Sequence, residues 1–154
     1  NTFMDPTIVM FGQLLLAAFL GLAIGTERSI VAQQRAGLRT FALVALGACA
    51  FVIGGNAIDL QFLGIVNFDP ARIAAGIVQG VGFIGAGLIF MRGDSVHGIT
   101  TAAGLWVSAA IGVLVAFHLY AVAIFTAALT LGIFFVMWYF ERMVKRWHDA
   151  GLPE

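Results

Sequence analysis

The most concentrated chemical motif in the sequence is G-x-G-x-x-G, formed by Gly80, Gly82 and Gly85 within the stretch GVGFIGAG. This spacing cradles a dinucleotide pyrophosphate when a strand precedes it, a helix begins at it and an acidic residue follows about 20 positions later. Here an apolar run of helical character precedes the glycines, and Leu105 stands where the acidic residue is needed. The sequence therefore argues against a nucleotide site, and we expect no cofactor.

A first group of polar side chains combines charges with hydroxyls at the ends of apolar runs. Its members are Glu27, Arg28, Arg39, Thr40, Thr100 and Thr101. Charged side chains at such positions commonly snorkel to the membrane interface, and hydroxyls commonly cap helices. The alternative is a converging polar cluster that contacts a partner or gates a cavity. Spacing alone favours the first interpretation.

A second polar group contains Asp59, Asp69 and Arg72. Two carboxylates could hold a hydrated magnesium ion through water, which makes Asp59 and Asp69 weak candidate ligands. The simpler interpretation is that Asp69, directly before Pro70, caps a helix while Arg72 stays at the interface. We therefore expect no firm metal site. The single cysteine, Cys49, excludes a disulfide within the chain and any CxxC metal site.

The centres of the apolar runs carry no ionisable residue, and their most deeply placed polar side chain is Gln79. Ionisable residues at such positions mark ion and proton pathways, so the pattern counts against a proton-relay pump. For Gln79 an interhelical hydrogen bond is favoured over a substrate contact, because such bonds are common in membrane bundles. No nucleophile–base pair appears either, and the sequence predicts a protein that is not an enzyme.

The elements that position these residues follow from composition. Of the 154 residues, 61% are hydrophobic and 10% are charged, whereas soluble domains carry about 25% charged residues. Runs long enough to cross a bilayer as helices occupy 7–26, 40–58, 71–91, 100–117 and 119–140. We predict an all-α polytopic membrane bundle of about five helices, as one domain over 1–147 with a short tail at 148–154. The net charge of zero gives no indication of a nucleic-acid partner.

The distribution of Lys and Arg sets the expected orientation. Seven of the eight basic residues fall in the first loop, the third loop and the tail, and Arg72 alone falls in the second loop. Because loops rich in Lys and Arg stay in the cytoplasm, we expect the N-terminus outside and the C-terminus in the cytoplasm.

Small residues are expected to hold the bundle together, because lipid tails remove the hydrophobic drive for helix association. The candidate packing positions in the third and fourth spans are Gly76, Gln79, Gly80, Gly82, Gly85, Gly87, Gly104 and Gly112. In the third span, Gly82 and Gly85 lie nearly opposite the other glycines. We therefore expect the third span to be a central helix with neighbours on two sides, and its five glycines make a kink or an unwound turn possible.

Four segments give the sequence a resemblance to a known family. They are GLAIGTER (21–28), AGLRT (36–40), DPARIAAGIVQGVGFIGAG (69–87) and HGITTAAGLW (97–106). In this order they resemble the transmembrane domain of the MgtC/SapB family of bacterial inner-membrane proteins. The resemblance implies recurring polar positions at Glu27, Arg28, Arg39, Thr40, Asp69, Arg72, Thr100 and Thr101, and it reverses the preference for snorkelling and caps at one end of the bundle.

The resemblance also implies a function. The best-known member of this family is tied to growth in low magnesium and to survival inside macrophages, and it is thought to regulate other membrane proteins, including the F-type ATP synthase. Virulence members carry a C-terminal soluble domain beyond the helices, and we expect effects that need this domain not to carry over.

Two function hypotheses follow. The first is a non-enzymatic membrane regulator or interaction protein, linked to magnesium limitation or related ion or phosphate stress. We expect it to be surrounded by lipid, to form a homo-oligomer with a dimer as the first choice, and to contact other membrane proteins. The alternative is a small ion transporter or channel with a path along the glycine-rich third helix and Gln79.

Overall fold

A computed structural model describes residues 5–31, 36–61 and 69–150 of the chain. Its helices and strands are α1 (Pro6–Thr26), α2 (Leu38–Gln61), α3 (Pro70–Leu88), β1 (Phe90–Arg92), β2 (Ser95–His97), α4 (Ile99–Ala116) and α5 (Tyr120–Ala150), with a π-helical turn (Glu27–Val31) continuing α1. All five α-helices are long and apolar enough to cross a membrane. The predicted all-α membrane bundle is confirmed.

Helices α1 and α3 begin where the sequence supplies caps. The carboxylate of Asp5 accepts a hydrogen bond from the backbone N–H of Thr7 at 2.9 Å, ahead of Pro6. This bond lowers the pKa of Asp5, because it stabilises the ionised carboxylate. Asp69 caps α3 in the same way, ahead of Pro70. Proline suits the first helical position because its missing N–H would have no partner there.

Three predicted span ends differ from the helix ends by three residues or more, and the first of these is α2, which runs to Gln61 rather than to 58. Helix α5 continues past the predicted end at 140 as far as Ala150, because no Gly or Pro interrupts the polar segment that follows the span. Helix α3 ends at Leu88 rather than at 91, and β1 and β2 form an antiparallel hairpin before α4. The remaining tail, 151–154, lies outside the described residues.

Glycine makes the hairpin between α3 and α4 possible. Gly93 lies in its two-residue turn with φ of +62°, and Gly98 precedes α4 with φ of +91°. A Cβ at Gly98 would collide with the carbonyl oxygen of Leu88. These left-handed conformations cost other residues free energy, and they return the chain directly from α3 into α4.

The centre of the bundle is α4, which packs against every other helix, and the tightest approaches lie between α1, α2 and α4. Half of the α4 span is buried, against 11% of the α3 span. The expectation that the third span is the central helix is therefore wrong within this chain. Helix α3 lies at the edge of the bundle and is α-helical without interruption from Pro70 to Leu88, so it lacks the unwound turn that its glycines made possible.

Backbone contact between helices defines the core. A Cβ on Gly21 would lie 2.6 Å from the carbonyl oxygen of Phe41, and a Cβ on Gly112 would overlap the carbonyl oxygen of Ala45. The hydroxyl of Ser108 donates a hydrogen bond of 2.9 Å to the carbonyl of Phe41. Small residues therefore bring α1 and α4 against α2, as expected for packing in lipid.

Candidate functional site

The strongest candidate site is a buried charged cluster where α1 gives way to the π-helical turn. Two consecutive charged residues, Glu27 and Arg28, open this turn with only 3% and 8% of their surfaces exposed. Such turns widen the helix and are frequent at functional sites. The end of the bundle that holds this turn, the start of α2 and the hairpin is called the arginine end here.

Glycines bring the start of α2 against this turn. A Cβ on Gly25 would lie 2.8 Å from the Cα of Leu38, and a Cβ on Gly37 would lie 2.7 Å from the Cβ of Ser29. Neither position has room for a larger residue unless the backbone moves. The close approach therefore fixes where the π-helical turn can place its side chains.

Among the residues that the structure describes, the guanidinium of Arg28 contacts Thr101, Glu27 and Phe134. Its Nη2 donates a hydrogen bond of 3.0 Å to the hydroxyl of Thr101, at the start of α4. Its Nη1 lies 3.7 Å from a carboxylate oxygen of Glu27. Its central carbon lies 4.9 Å from the centre of the Phe134 ring in α5, within the range of a cation–π interaction. Arg28 therefore links α1, α4 and α5.

The Phe134 ring reaches Arg28 because Gly104 leaves space for it. A Cβ on Gly104 would lie 2.8 Å from the tip of the Phe134 ring and 3.1 Å from the ring of Phe41. Sequence reasoning missed both aromatic residues. One available signal was the spacing of Ala123, Ala127, Thr130 and Phe134, since positions four, three and four residues apart share a helix face; all four are buried.

The structure brings together three of the six polar residues predicted at this end, which are Glu27, Arg28 and Thr101. Thr40 is half-buried, whereas Arg39 and Thr100 are exposed to the surroundings of the bundle. The arginine end thus has an inner part, formed by the buried Glu27, Arg28 and Thr101. Its outer part carries the exposed guanidinium of Arg39 and the exposed hydroxyl of Thr100.

At the opposite end of the bundle, Asp69 and Arg72 are both exposed. The carboxylate of Asp69 caps the N-terminus of α3. Asp69 Oδ1 accepts hydrogen bonds from the backbone N–H groups of Ala71, at 2.9 Å, and Arg72, at 3.4 Å. The side chain of Asp59 lies outside the described residues. Among the residues that the structure describes, no three His, Cys, Asp or Glu side chains come together as a metal site.

A small pocket of about 310 Å³ also opens at this opposite end, between α1, α2 and the α4–α5 turn. Gln13, Asn56 and His118 contribute its polar lining. The amide Nε2 of Gln13 donates to the carbonyls of Val115, at 2.9 Å, and Ala116, at 3.0 Å. Gln13 thereby bonds two carbonyls of the last turn of α4, and that of Val115 also accepts a hydrogen bond of 3.0 Å from the backbone N–H of His118. Sequence reasoning missed this residue, although it lies four positions before Ala17 on the buried stripe of α1.

Gln79 and the glycines of α3 lie elsewhere than expected. Gln79 is exposed on the outside of the bundle, and Gly76, Gly80, Gly82 and Gly87 have nothing within 4 Å of an added Cβ. Only Gly85 contacts another helix, with Ala102 of α4 at 3.6 Å. In contrast, Gly104 and Gly112 of α4 pack tightly inside the chain.

Comparison with known proteins gives a consistent result. The model of the MgtC family matches residues 14–143. YhiD of Escherichia coli K12, a candidate magnesium transporter by its name, is 41% identical over 140 residues, which cover 88% of this chain and 65% of YhiD. The MgtC protein of Salmonella typhimurium LT2 is 46% identical over 114 residues, which cover 72% of this chain and 46% of that protein.

A third relative, the MgtC protein of Brucella abortus 2308, is 50% identical over 100 residues, or 64% of this chain and 38% of that protein. The chain therefore spans less than two thirds of the length of the curated relatives it matches. No solved structure matches the chain significantly.

Proposed function

Because the chain belongs to the MgtC family, we propose that it is a non-enzymatic regulator or interaction protein of the bacterial inner membrane. We link it to magnesium limitation or to related ion or phosphate stress. Relatives named MgtC and a relative named as a candidate magnesium transporter support the magnesium link. Because the chain corresponds to part of these relatives, the proposal concerns the membrane bundle itself.

The observation that carries this proposal is the outward position of α3. A transport path along the third helix needs Gln79 and the neighbouring glycines to line a lumen, yet Gln79 is exposed on the outside. The charge pair at the arginine end is buried, and its guanidinium contacts the Thr101 hydroxyl and the Phe134 ring. A bundle of this kind is better suited to binding partners on its outer surface than to conducting ions through a channel.

The arginine end supports a role in contacts. Arg39 is exposed in the first turn of α2, at the same end of the bundle as the buried charge pair. An exposed guanidinium presents five N–H donors to a carboxylate or phosphate of a neighbouring protein or lipid headgroup. We propose Arg39 as a contact residue and Arg28 as the residue that positions the surrounding helices.

A growth assay tests this division of roles. The wild-type chain and its Arg39→Gln variant are expressed in a host that lacks its own relative and is starved of magnesium. We expect Arg39→Gln to reach the wild-type folded yield in membranes and to lose growth support. The matched control is Arg92→Gln, an exposed arginine of the hairpin, which should keep it. Equal growth of all three strains would contradict the role of Arg39.

The second candidate function is magnesium transport, favoured by the name of YhiD. Purified chain in liposomes loaded with a magnesium-sensitive dye separates the two candidates. We expect uptake no faster than in protein-free liposomes. Saturable magnesium uptake that is lost in Gln79→Leu would instead establish the transporter and overturn the regulator.

A further inference from the structure

Helix α3 presents a face that has no partner within the chain. An added Cβ on Gly76, Gly80 or Gly87 would meet nothing within 4 Å. Phe83 is 84% exposed, the highest value for any large apolar side chain among the described residues. Helical spacing places Gln79 on the same side, so this open face combines small, bulky and polar positions.

The amide of Gln79 makes this face unsuitable for lipid alone. It lies near the middle of the α3 span and is exposed, and none of the residues that the structure describes forms a hydrogen bond with it. Hydrocarbon offers no donor or acceptor, so a polar side chain at this depth is stabilised by a partner helix. An acyl chain could cover the glycines but would leave the amide unpaired.

The open face continues into an apolar groove between α2 and α3. The groove has a volume of about 690 Å³. Its lining includes Gly47 and Phe51 from α2 and Gly76, Gly80 and Ile84 from α3. Two glycines four residues apart, here Gly76 and Gly80, let another helix approach α3 closely. The groove beside them gives that helix a second wall.

We propose that the occupant is α3 of a second copy of this chain, packed parallel to the first around a two-fold axis along the membrane normal. In such an interface each residue near the axis meets its own counterpart. Gln79 of each copy then pairs its amide with Gln79 of the other. The exposed ring of Phe83 fills the open space above the second copy's Gly80 and Gly87.

Charge complementarity favours a second copy over an unrelated helix. Asp69 and Arg72 are exposed at the first turn of α3, and they carry opposite charges on adjoining positions of the same side. A two-fold axis beside this turn brings Arg72 of each copy towards Asp69 of the other. The face is thus complementary to itself in charge, in amide pairing and in shape.

The opposite side of α3 already holds it in its own chain. Gly85 contacts Ala102 of α4, and Val81 is buried in the core of the bundle. Association through the open face therefore requires no rearrangement of the monomer. It also makes no use of the charge pair at the arginine end.

Cysteine cross-linking in native membranes tests the interface. The single native cysteine is first removed by Cys49→Ser, and Gly80→Cys is then compared with the matched control Gly82→Cys. Both glycines lie in the same helix and leave open space for a side chain, but they point to different sides. We expect oxidation to convert Gly80→Cys, and not Gly82→Cys, into a disulfide-linked dimer. Equal cross-linking at both positions, or cross-linking of Gly80→Cys to a different protein, would overturn the proposal.

A second experiment measures the affinity directly. Gly80→Leu and Gly82→Leu are reconstituted in lipid with donor and acceptor fluorophores, and energy transfer is followed as the lipid dilutes the protein. We expect Gly80→Leu to weaken association by about tenfold or more, equivalent to about 1.4 kcal/mol, while Gly82→Leu matches the wild type. Equal affinities of the two variants would overturn the interface. This measurement does not depend on magnesium, so it tests the interface independently of the proposed function.

Discussion

Helices α3 and α4 have similar lengths, and both carry glycines, yet these glycines meet different surroundings. In α4, Gly104 faces the rings of Phe134 and Phe41, and Gly112 faces the backbone of α2. In α3, Gly76 and Gly80 face open space. A glycine stripe therefore allows a close approach, but it does not identify the helix that makes the approach or show that this helix belongs to the same chain.

Two glutamines repeat the contrast. Gln13 is buried on α1 and bonds two carbonyls at the end of α4, whereas Gln79 is exposed on α3. The same side chain therefore serves the inside of the bundle in one helix and its outer surface in another. Substitutions at matched positions inside and outside the bundle test this difference.

The largest effect is expected at the buried charge pair. Arg28→Met leaves Glu27 buried without its cation, and removing one member of a buried pair costs about 3–5 kcal/mol. The measurement is the free energy of unfolding in mixed micelles titrated with denaturing detergent. Arg39→Met, at an exposed arginine, serves as the control and should change this free energy by less than about 0.5 kcal/mol.

A double variant sharpens this first prediction. Glu27→Gln combined with Arg28→Met removes both charges from the buried site, and neutral replacements of similar volume often recover stability. We expect the double variant to unfold later in the titration than Arg28→Met alone. A double variant as unstable as the single one would mean that the Thr101 and Phe134 contacts matter more than the charge pair.

A smaller effect is expected from one methyl group added at a glycine of α3 or of α4. Gly112→Ala must move the backbone of α2 or α4, and overpacking of this kind costs about 1–3 kcal/mol. Gly76→Ala meets open space and should leave monomer stability unchanged or raise it by up to about 1 kcal/mol through helix propensity. The same unfolding titration, run at high dilution in detergent, compares the two variants. Equal losses would erase the distinction between the two helices.

The two glutamines give the next prediction. Gln13→Leu removes the donor to Val115 and Ala116, and interhelical hydrogen bonds in membranes contribute about 0.6 kcal/mol each, rising to about 1.7 kcal/mol. We expect a loss of about 1 kcal/mol in monomer stability. Gln79→Leu should leave monomer stability unchanged and act only on association. A destabilised Gln79→Leu monomer would contradict the open face of α3.

The smallest effect is expected at Ser108. Its hydroxyl bonds the Phe41 carbonyl across the α2–α4 contact, and Ser108→Ala should cost about 0.6 kcal/mol. Thr130→Val is the matched control, because the Thr130 hydroxyl bonds Thr126 within its own helix. A larger loss for Thr130→Val than for Ser108→Ala would show that the contact between helices is not what the hydroxyl stabilises.

Sequence reasoning predicts the five helices because the length and apolarity of a membrane span are local properties of the chain. It also predicts the caps at Asp69 and Pro70 for local reasons. It misses the hairpin before α4, since three-residue strands carry little pattern of their own. It places α3 at the centre of the bundle, because periodicity identifies a face but not the direction in which that face points.

The sequence likewise predicts the polar residues of the candidate site but not the aromatic residue that packs against them. Glu27, Arg28 and Thr101 stand at helix ends in the sequence, and the resemblance to a family marked them as a group. Phe134 lies 106 positions after Arg28, and only the packing of α5 beside Gly104 brings its ring to the guanidinium. Contacts of this range depend on how whole helices pack, which the spacing of residues within one helix does not encode.

The π-helical turn at the end of α1 has an electrical consequence. A single charge that crosses a membrane gains or loses about 2.3 kcal/mol per 100 mV of potential. Glu27 and Arg28 are consecutive, carry opposite charges and lie in contact, so the forces that a membrane voltage exerts on them nearly cancel. Depolarising the cell should therefore leave this junction of α1, α4 and α5 in place.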